Sequence, residues 1–328
     1  MAEWLYEAGI GEERGILVEH GAIVAARLEW GEPVRAGLVT DARLIAKPGG
    51  ARRGLARLED GTEVLVDALA REVNEGDTLR LRIVRPALAE RGRTKRAQSR
   101  HDPEAICAPA PALLDELQRG EISVRSVRIA GRDFADHGWD ELTEQALTGE
   151  IAFAGGSLSL SPTPAMTLID VDGFGPAAVL ALAAVAPIAA AMRRLDLGGS
   201  VGIDFPTVAE KHDRQAVDAA LGIALAGWRG ERTAMNGFGF VQLVSRLEHP
   251  SLLARYTRRT LAEARVLLRQ AERVSEPGAL LLTAPPKLRR AIGGAWEAEL
   301  IRRTGRRIEW REDAAIAPEA AFAQAVPG

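Results

Sequence analysis

Cysteine is almost absent from this chain. Cys107 is the single thiol among 328 residues, which excludes an intramolecular disulfide and any zinc or iron–sulfur site built on several thiolates. Aromatic residues are scarce, at 5%, and residues 37–103 contain no Phe, Tyr or Trp. The five histidines are scattered, without a pair at metal-ligand spacing. No P-loop is present. No basic, apolar leader is read at the N-terminus; with the lone thiol, this gives the expectation of a reducing, cytoplasmic setting. The longest apolar run, residues 177–192, has 16 residues and contains Pro187. A membrane span needs about 20, so the run reads as a helix buried on nearly all sides, and no membrane partner is expected.

What remains is an ordinary globular composition, 47% hydrophobic and 27% charged, with enough apolar surface to offset the entropy of ordering. Net charge is −3 but unevenly spread. Arg80, Arg82, Arg85, Arg91, Arg93, Lys95, Arg96 and Arg100 stand against one acid, Glu90, in 21 residues. A basic segment on an acidic body is a candidate polyanion site, and equally a solvated loop.

The first third reads as strands. Two apolar runs flank His20-Gly21, a hairpin pattern. Short apolar segments then recur between Gly-Gly, Asp60-Gly61 and Glu75-Gly76-Asp77, which suggests a small barrel. A proline-rich loop, a helix over 112–119, a strand over 122–129 and a helix over 139–147 follow. A hairpin turns at Gly155-Gly156. The second half alternates strand and helix: strand 165–171, helix 176–196, strand 201–205, helix 210–226, strand 238–246 and helix 261–274. Beyond Pro277 come a strand, a helix through Ile301 and a last strand at 307–311. That order argues for an α/β domain.

Two of these strands end in an aspartate: Asp170 closes Met-Thr-Leu-Ile-Asp and Asp204 closes Val-Gly-Ile-Asp. A helical crossover makes such strands parallel. Ligands of α/β sheets gather at the carboxyl ends of strands. Two hard carboxylates there suit magnesium, which takes one or two protein carboxylates plus waters and phosphate oxygens. Strand-end aspartates also make turns and helix caps, so spacing alone does not choose. Gly237-Phe-Gly-Phe reads as a turn, or as an aromatic site for stacking on RNA.

Longer blocks carry a resemblance. Gly155-Gly-Ser-Leu-Ser-Leu-Ser-Pro-Thr-Pro-Ala-Met-Thr-Leu-Ile-Asp-Val-Asp-Gly173 resembles a segment of the ribonuclease E/G family that runs from a glycine pair to Ile-Asp-Val-Asn-Ser-Gly. Arg194-Leu-Asp-Leu-Gly-Gly-Ser-Val-Gly-Ile-Asp-Phe205 looks like that family's Arg-Asp-Leu-Gly-Gly-Ile-Ile-Val-Ile-Asp-Phe. Phe238-Gly-Phe-Val-Gln-Leu is similar to its Phe-Gly-Leu-Leu-Glu-Met. Arg303-Thr-Gly-Arg-Arg-Ile-Glu-Trp-Arg and the opening Arg14-Gly-Ile-Leu-Val-Glu-His-Gly also fit. The matches recur in order along most of the chain.

The resemblance implies an RNase-H-like domain (residues 1–36 and 104–155) with an inserted OB-fold barrel (37–103). A deoxyribonuclease-I-like α/β catalytic domain (156–262) and a small C-terminal α/β segment (263–328) would follow. It implies a Mg2+-dependent endoribonuclease acting on single-stranded RNA by metal-activated water. Asp170 and Asp204 fall on the family's metal-binding aspartates, and Asp172 on an asparagine beside the scissile phosphate. Arg93, Lys95, Arg96 and Arg100 on the barrel would bind RNA phosphates, and Arg229 and Arg232 lie where the family has a basic contact. There are departures. Asp172 adds a negative charge, and Ser-Gly-Arg becomes Gly173-Phe174-Gly175. The zinc-link cysteines are missing between Arg246 and Pro277, so no zinc-linked dimer is expected. Most of the 5′-end sensor is missing between Arg100 and Ala112. A non-catalytic RNA-binding or ribosome-associated relative is the alternative.

Overall fold

In the computed structural model of the chain, which describes residues 1–49, 51–90, 93–129 and 131–327, the N-terminal runs form an antiparallel meander. Its strands are β1 (Glu3–Gly9), β2 (Glu12–Glu19) and β3 (Ala22–Glu29). His20 and Gly21, at φ 50° and 81°, supply the double positive-φ turn that matches hairpin twist.

β4 (Val39–Ala46), β5 (Arg53–Arg57), β6 (Glu63–Asp67) and β7 (Thr78–Arg85) come next, then the small hairpin β8 (Leu88–Glu90) and β9 (Arg93–Lys95), then β10 (Ala97–His101). A closed five-stranded barrel runs in the order β10-β6-β5-β4-β7. The β6–β10 pair is parallel and the other pairs are antiparallel. Alternation builds its core: Leu79, Leu81 and Ile83 of β7 point inward with Leu44, Val64 and Val66. Arg80 and Arg82 on the same strand point out to Asp41 and Asp102, at 2.6 and 2.8 Å.

α1 (Leu113–Gln118) is followed by β11 (Val124–Ser126), which pairs in parallel with β1. The strand expected over 122–129 is therefore only three residues long. α2 (Asp133–Asp136) and α3 (Trp139–Thr148) lead on to β12 (Glu150–Phe153), β13 (Gly156–Pro162), β14 (Thr167–Gly173), α4 (Ala177–Arg194), β15 (Ser200–Asp204), α5 (Lys211–Ala224), β16 (Gly230–Arg232) and β17 (Phe240–Ser245). These six strands form one sheet in the order β12-β13-β14-β15-β17-β16. The crossover through α4 makes β14 and β15 parallel neighbours.

One sheet face is apolar and carries Leu158, Leu160, Ile169, Val171, Val201, Ile203, Val241 and Leu243, all buried. α4 packs on this face. Gly156 and Gly173, paired in register, let it come close: a Cβ on either would lie 2.9 or 2.7 Å from a Leu180 methyl. The burial expected on nearly all sides of α4 is not what forms. Leu180, Ala181, Ala184, Val185, Ile188, Ala189, Ala191 and Met192 turn inward, while Val179 is 62% exposed and Leu182 43%. The outward face also carries Ala183 and Ala186, whose exposure forfeits little hydrophobic free energy, and Arg193.

α6 (Leu252–Tyr256), α7 (Arg259–Arg273), β18 (Ala279–Ala284), α8 (Pro286–Thr304), β19 (Ile308–Glu312) and β20 (Phe322–Val326) complete the chain. The last three strands pair in the order β19-β18-β20, over a core of Leu267, Leu268, Leu280, Leu282, Leu288 and Leu300.

The chain divides into two compact units. The first joins Met1–Gly31, Leu113–Thr143 and Arg255–Gly328; the second joins Glu32–Ala112 and Glu144–Ala254. The first unit holds a buried ionic core. Arg14 pairs with Glu7, and Arg269 with Glu12. Arg255 meets Glu29 at 2.8 Å. Arg14 also stacks on Phe134 and Trp139, at 4.5 and 4.8 Å, and Arg265 lies over Trp30 and Trp296, at 4.1 and 4.6 Å.

Candidate functional site

The second face of the six-stranded sheet is open and polar. Side chains opposite one another on adjacent strands share a face, so the register fixes its composition. Glu150 opposes Ser159, Ser159 opposes Asp170, Asp170 opposes Asp204, and Asp204 opposes Phe240. One row thus runs across five strands and carries three carboxylates. Asp172 lies two residues beyond Asp170 on the same face, opposite Ser157. Asp170 and Asp204 are therefore direct neighbours at the carboxyl ends of parallel strands about 4.8 Å apart.

Their crowding has an electrostatic signature. Partial burial pushes the Asp170 carboxyl above its ordinary range, and the negative charges of Asp172, Asp204 and Glu150 push it further. A hydrogen bond from the Val171 backbone opposes this only in part. The part of the Asp170 shift that its acidic neighbours cause marks negative charge crowded on this face.

On the open face, Phe240 lies over Gly202. A Cβ there would come 2.6 Å from the ring and 2.9 Å from the Met166 sulfur. The Gly237-Phe-Gly-Phe stretch is a turn: Asn236 Oδ1 accepts from the backbone N–H of Phe238 at 2.9 Å and of Phe240 at 3.0 Å.

The basic residues lie elsewhere. Arg96 on the barrel is paired to Glu63 at 3.0 Å. Lys95 and Arg100 are exposed and make no ion pair among the described residues. The Arg93 side chain and Arg91 lie outside the described residues. Arg232 stands opposite buried Leu243, on the helix-covered face. It donates to the Asp218 carboxylate on α5 and, at 3.0 Å, to the Asp218 carbonyl. The register thus puts Arg232 on the face opposite the carboxylates. Arg229, just before β16, is exposed.

No protein-family model matches the chain, and no curated protein does.

The donor set fits a hard divalent cation: carboxylate oxygens only, on an open face where waters and phosphate oxygens have access. Among the described residues no three His, Cys, Asp or Glu side chains converge closely enough to hold a metal unaided. Magnesium does not need such a cage. Two features went unread in the sequence. Glu150 joins the row because the Gly155-Gly156 turn sets it opposite Ser159, a register that could have been counted along the hairpin. Phe174 carries an almost fully exposed ring, 95% accessible.

Proposed function

We propose that this chain is a Mg2+-dependent endoribonuclease that cuts single-stranded RNA, of the ribonuclease E/G type. The observation that carries the reading is the register of Asp170 against Asp204 at the carboxyl ends of adjacent parallel strands, with Asp172 and Glu150 on the same open face. Asp170 and Asp204 would hold the ion. When bound, it would supply an activated water and neutralise charge on the phosphate. Asp172, on the next rung toward the strand ends, would help hold the scissile phosphate or the metal-bound water. The Asp170 carboxyl is raised first by burial and then by Asp172 and Asp204, and a divalent cation would relieve the second of these.

The closed barrel supports RNA binding. In chain order its strands circuit as first, second, third, fifth and fourth, with the third and fifth parallel, an arrangement that suits the OB-fold reading. Its surface has no aromatic ring, so it would bind phosphates through Lys95 and Arg100 instead of stacking bases. The meander β1–β3 with parallel β11 beside β1 suits the RNase-H-like reading.

The non-catalytic RNA-binding relative is favoured by one observation: Asp172 adds a negative charge beside Asp170 on the open face, where it would repel a phosphate. One experiment separates the two. End-labelled single-stranded RNA is incubated with the protein in magnesium or chelator, beside a folded Asp170→Asn/Asp204→Asn variant. The nuclease reading expects internal cuts that need both the ion and the aspartates. Cuts that persist in the variant would overturn the site. Binding without cuts, over several RNAs and metals, would favour the second reading.

A further inference from the structure

Of the fifteen Phe, Tyr and Trp side chains in the sequence, three are exposed: Phe174 at 95%, Phe238 at 82% and Phe322 at 41%. The two most exposed stand at the same edge of the same sheet. Phe174 follows directly after Gly173, the last residue of β14, and its backbone N–H donates to the Gly155 carbonyl at 3.2 Å. Phe238 precedes β17 by two residues and is held on the Asn236 turn, beside the end of β15. Asp170 and Asp172 precede Phe174 on β14, and Asp204, opposite Phe240, lies on β15, the strand between the two.

From this juxtaposition we infer that Phe174 and Phe238 are stacking platforms for bases of a single-stranded RNA whose backbone crosses the carboxylate row. The inference rests on the proposed RNA-cutting function of that row. Three observations carry it. A ring left in water forfeits the burial that stabilises nearly every other aromatic here. The two rings also do not form a continuous apolar patch, because glycines and polar residues adjoin each: Asp172, Gly173 and Gly175 at one, Asn236, Gly237 and Gly239 at the other. Isolated flat rings suit flat ligands taken one at a time better than they suit an apolar protein surface. Finally, a Cβ at Gly175 or Gly237 would meet no atom within 4 Å, so space stays open next to each ring.

The spacing agrees. β14 and β17 are two strands apart, about 10 Å at the usual interstrand distance. Both rings stand beyond the carboxylate row toward the strand ends, Phe174 two residues past Asp172 and Phe238 two residues past Phe240, the partner of Asp204, so bases stacked on them would flank a backbone that passes from this edge onto the row. The barrel, without aromatic residues, leaves base stacking to this edge. Any base offers a π-face, so the platforms predict little sequence preference.

The test measures binding of a 5′-fluorescein single-stranded RNA decamer, and of an abasic decamer of equal length and charge. The parent protein carries Asp170→Asn/Asp204→Asn, which prevents cutting and removes the charge a metal would offset. Phe174→Ala and Phe238→Ala are expected to weaken binding of the intact RNA about tenfold each. Phe174→Tyr and Phe238→Tyr should retain it. The abasic decamer should bind weakly and equally to all variants. Equal affinity of the parent and the double alanine variant for intact RNA would overturn the platforms while leaving the RNA reading in place. A parent that binds neither oligonucleotide would overturn both. Each ring contributes little buried area, so the alanine variants should fold as the parent does.

Discussion

At the scale of the residue, Asp170 is held in its place at a cost in stability. Its carboxyl is raised by partial burial and by Asp172 and Asp204. The folded protein therefore binds this proton more readily than the unfolded chain does. The destabilisation is full above the raised value and fades as pH falls toward the ordinary carboxylate range. Asp170→Asn removes the repulsion. For so exposed a group the gain is about 0.5 kcal/mol, or roughly 1–2 °C in melting temperature at neutral pH. Melting curves across pH check this: the advantage of the variant should shrink on acidification, and an unstable variant at pH 7 would contradict the repulsion. Arg232 makes the opposite case. Its guanidinium ties β16 to Asp218 of α5. Arg232→Ala should lower stability by about 1–2 kcal/mol, seen as a lower urea midpoint, and leave RNA affinity unchanged. Strand-end Asp170 and Asp204 were legible because each closes an apolar run. The direction of Arg232 was not, because which face a three-residue edge strand presents depends on its register with β17.

At the scale of the element, glycine sets how closely α4 approaches the sheet. A Cβ on Gly173 would meet the Gly155 carbonyl at 2.4 Å and Leu180 at 2.7 Å. Gly173→Ala should therefore destabilise by about 1–3 kcal/mol, as overpacking does, and should displace the rung carrying Asp172. Cleavage should fall more than the melting temperature predicts; normal turnover per folded molecule would show that the rung does not matter. Elements with strong periodicity were readable from sequence: α5, α7, the barrel strands and the β14–α4–β15 crossover. Two were not. The alternation over 122–129 predicts a full strand, yet β11 pairs with β1 over only three residues. The length of a strand depends on its partner as well as on its own pattern. The apolar α4 sequence likewise says nothing of how much of the helix a sheet will cover.

At the scale of the whole molecule, two charge systems of different kind coexist. In the first unit, Glu12 is fully buried. Burial would raise its carboxyl, but Arg269 and Arg14 outweigh this and hold it below the ordinary range. A lowered carboxyl stabilises above its unfolded value, and that stability is lost as pH falls through the folded value. Arg269→Ala takes the closest cation from buried Glu12 and leaves it Arg14 at 3.8 Å, and should destabilise by about 3 kcal/mol. Chemical denaturation would register this in the first unit. Exchanging Glu12 and Arg269 together for apolar residues should lose much less. Neither residue stood out in the sequence, because burial of a charge is decided by packing between segments more than 250 positions apart.

The second system is at the surface, and the proposed binding of RNA would depend on it. Net charge is −3, and most barrel arginines are already paired: Arg80 to Asp41, Arg82 to Asp102, Arg96 to Glu63. The basic run is thus less available to phosphate than its sequence suggests. Lys95, Arg100 and Arg229 are exposed and make no ion pair among the described residues. Three phosphate contacts on a single strand give a slope of about −2 in log affinity against log salt, which is roughly a fifteen-fold loss between 50 and 200 mM. Titrations of single-stranded RNA across that range check the number. Lys95→Ala and Arg100→Ala should each flatten the slope by about 0.7, whereas Arg232→Ala should leave it where it is. A slope near zero would mean that backbone phosphates are not what the barrel holds.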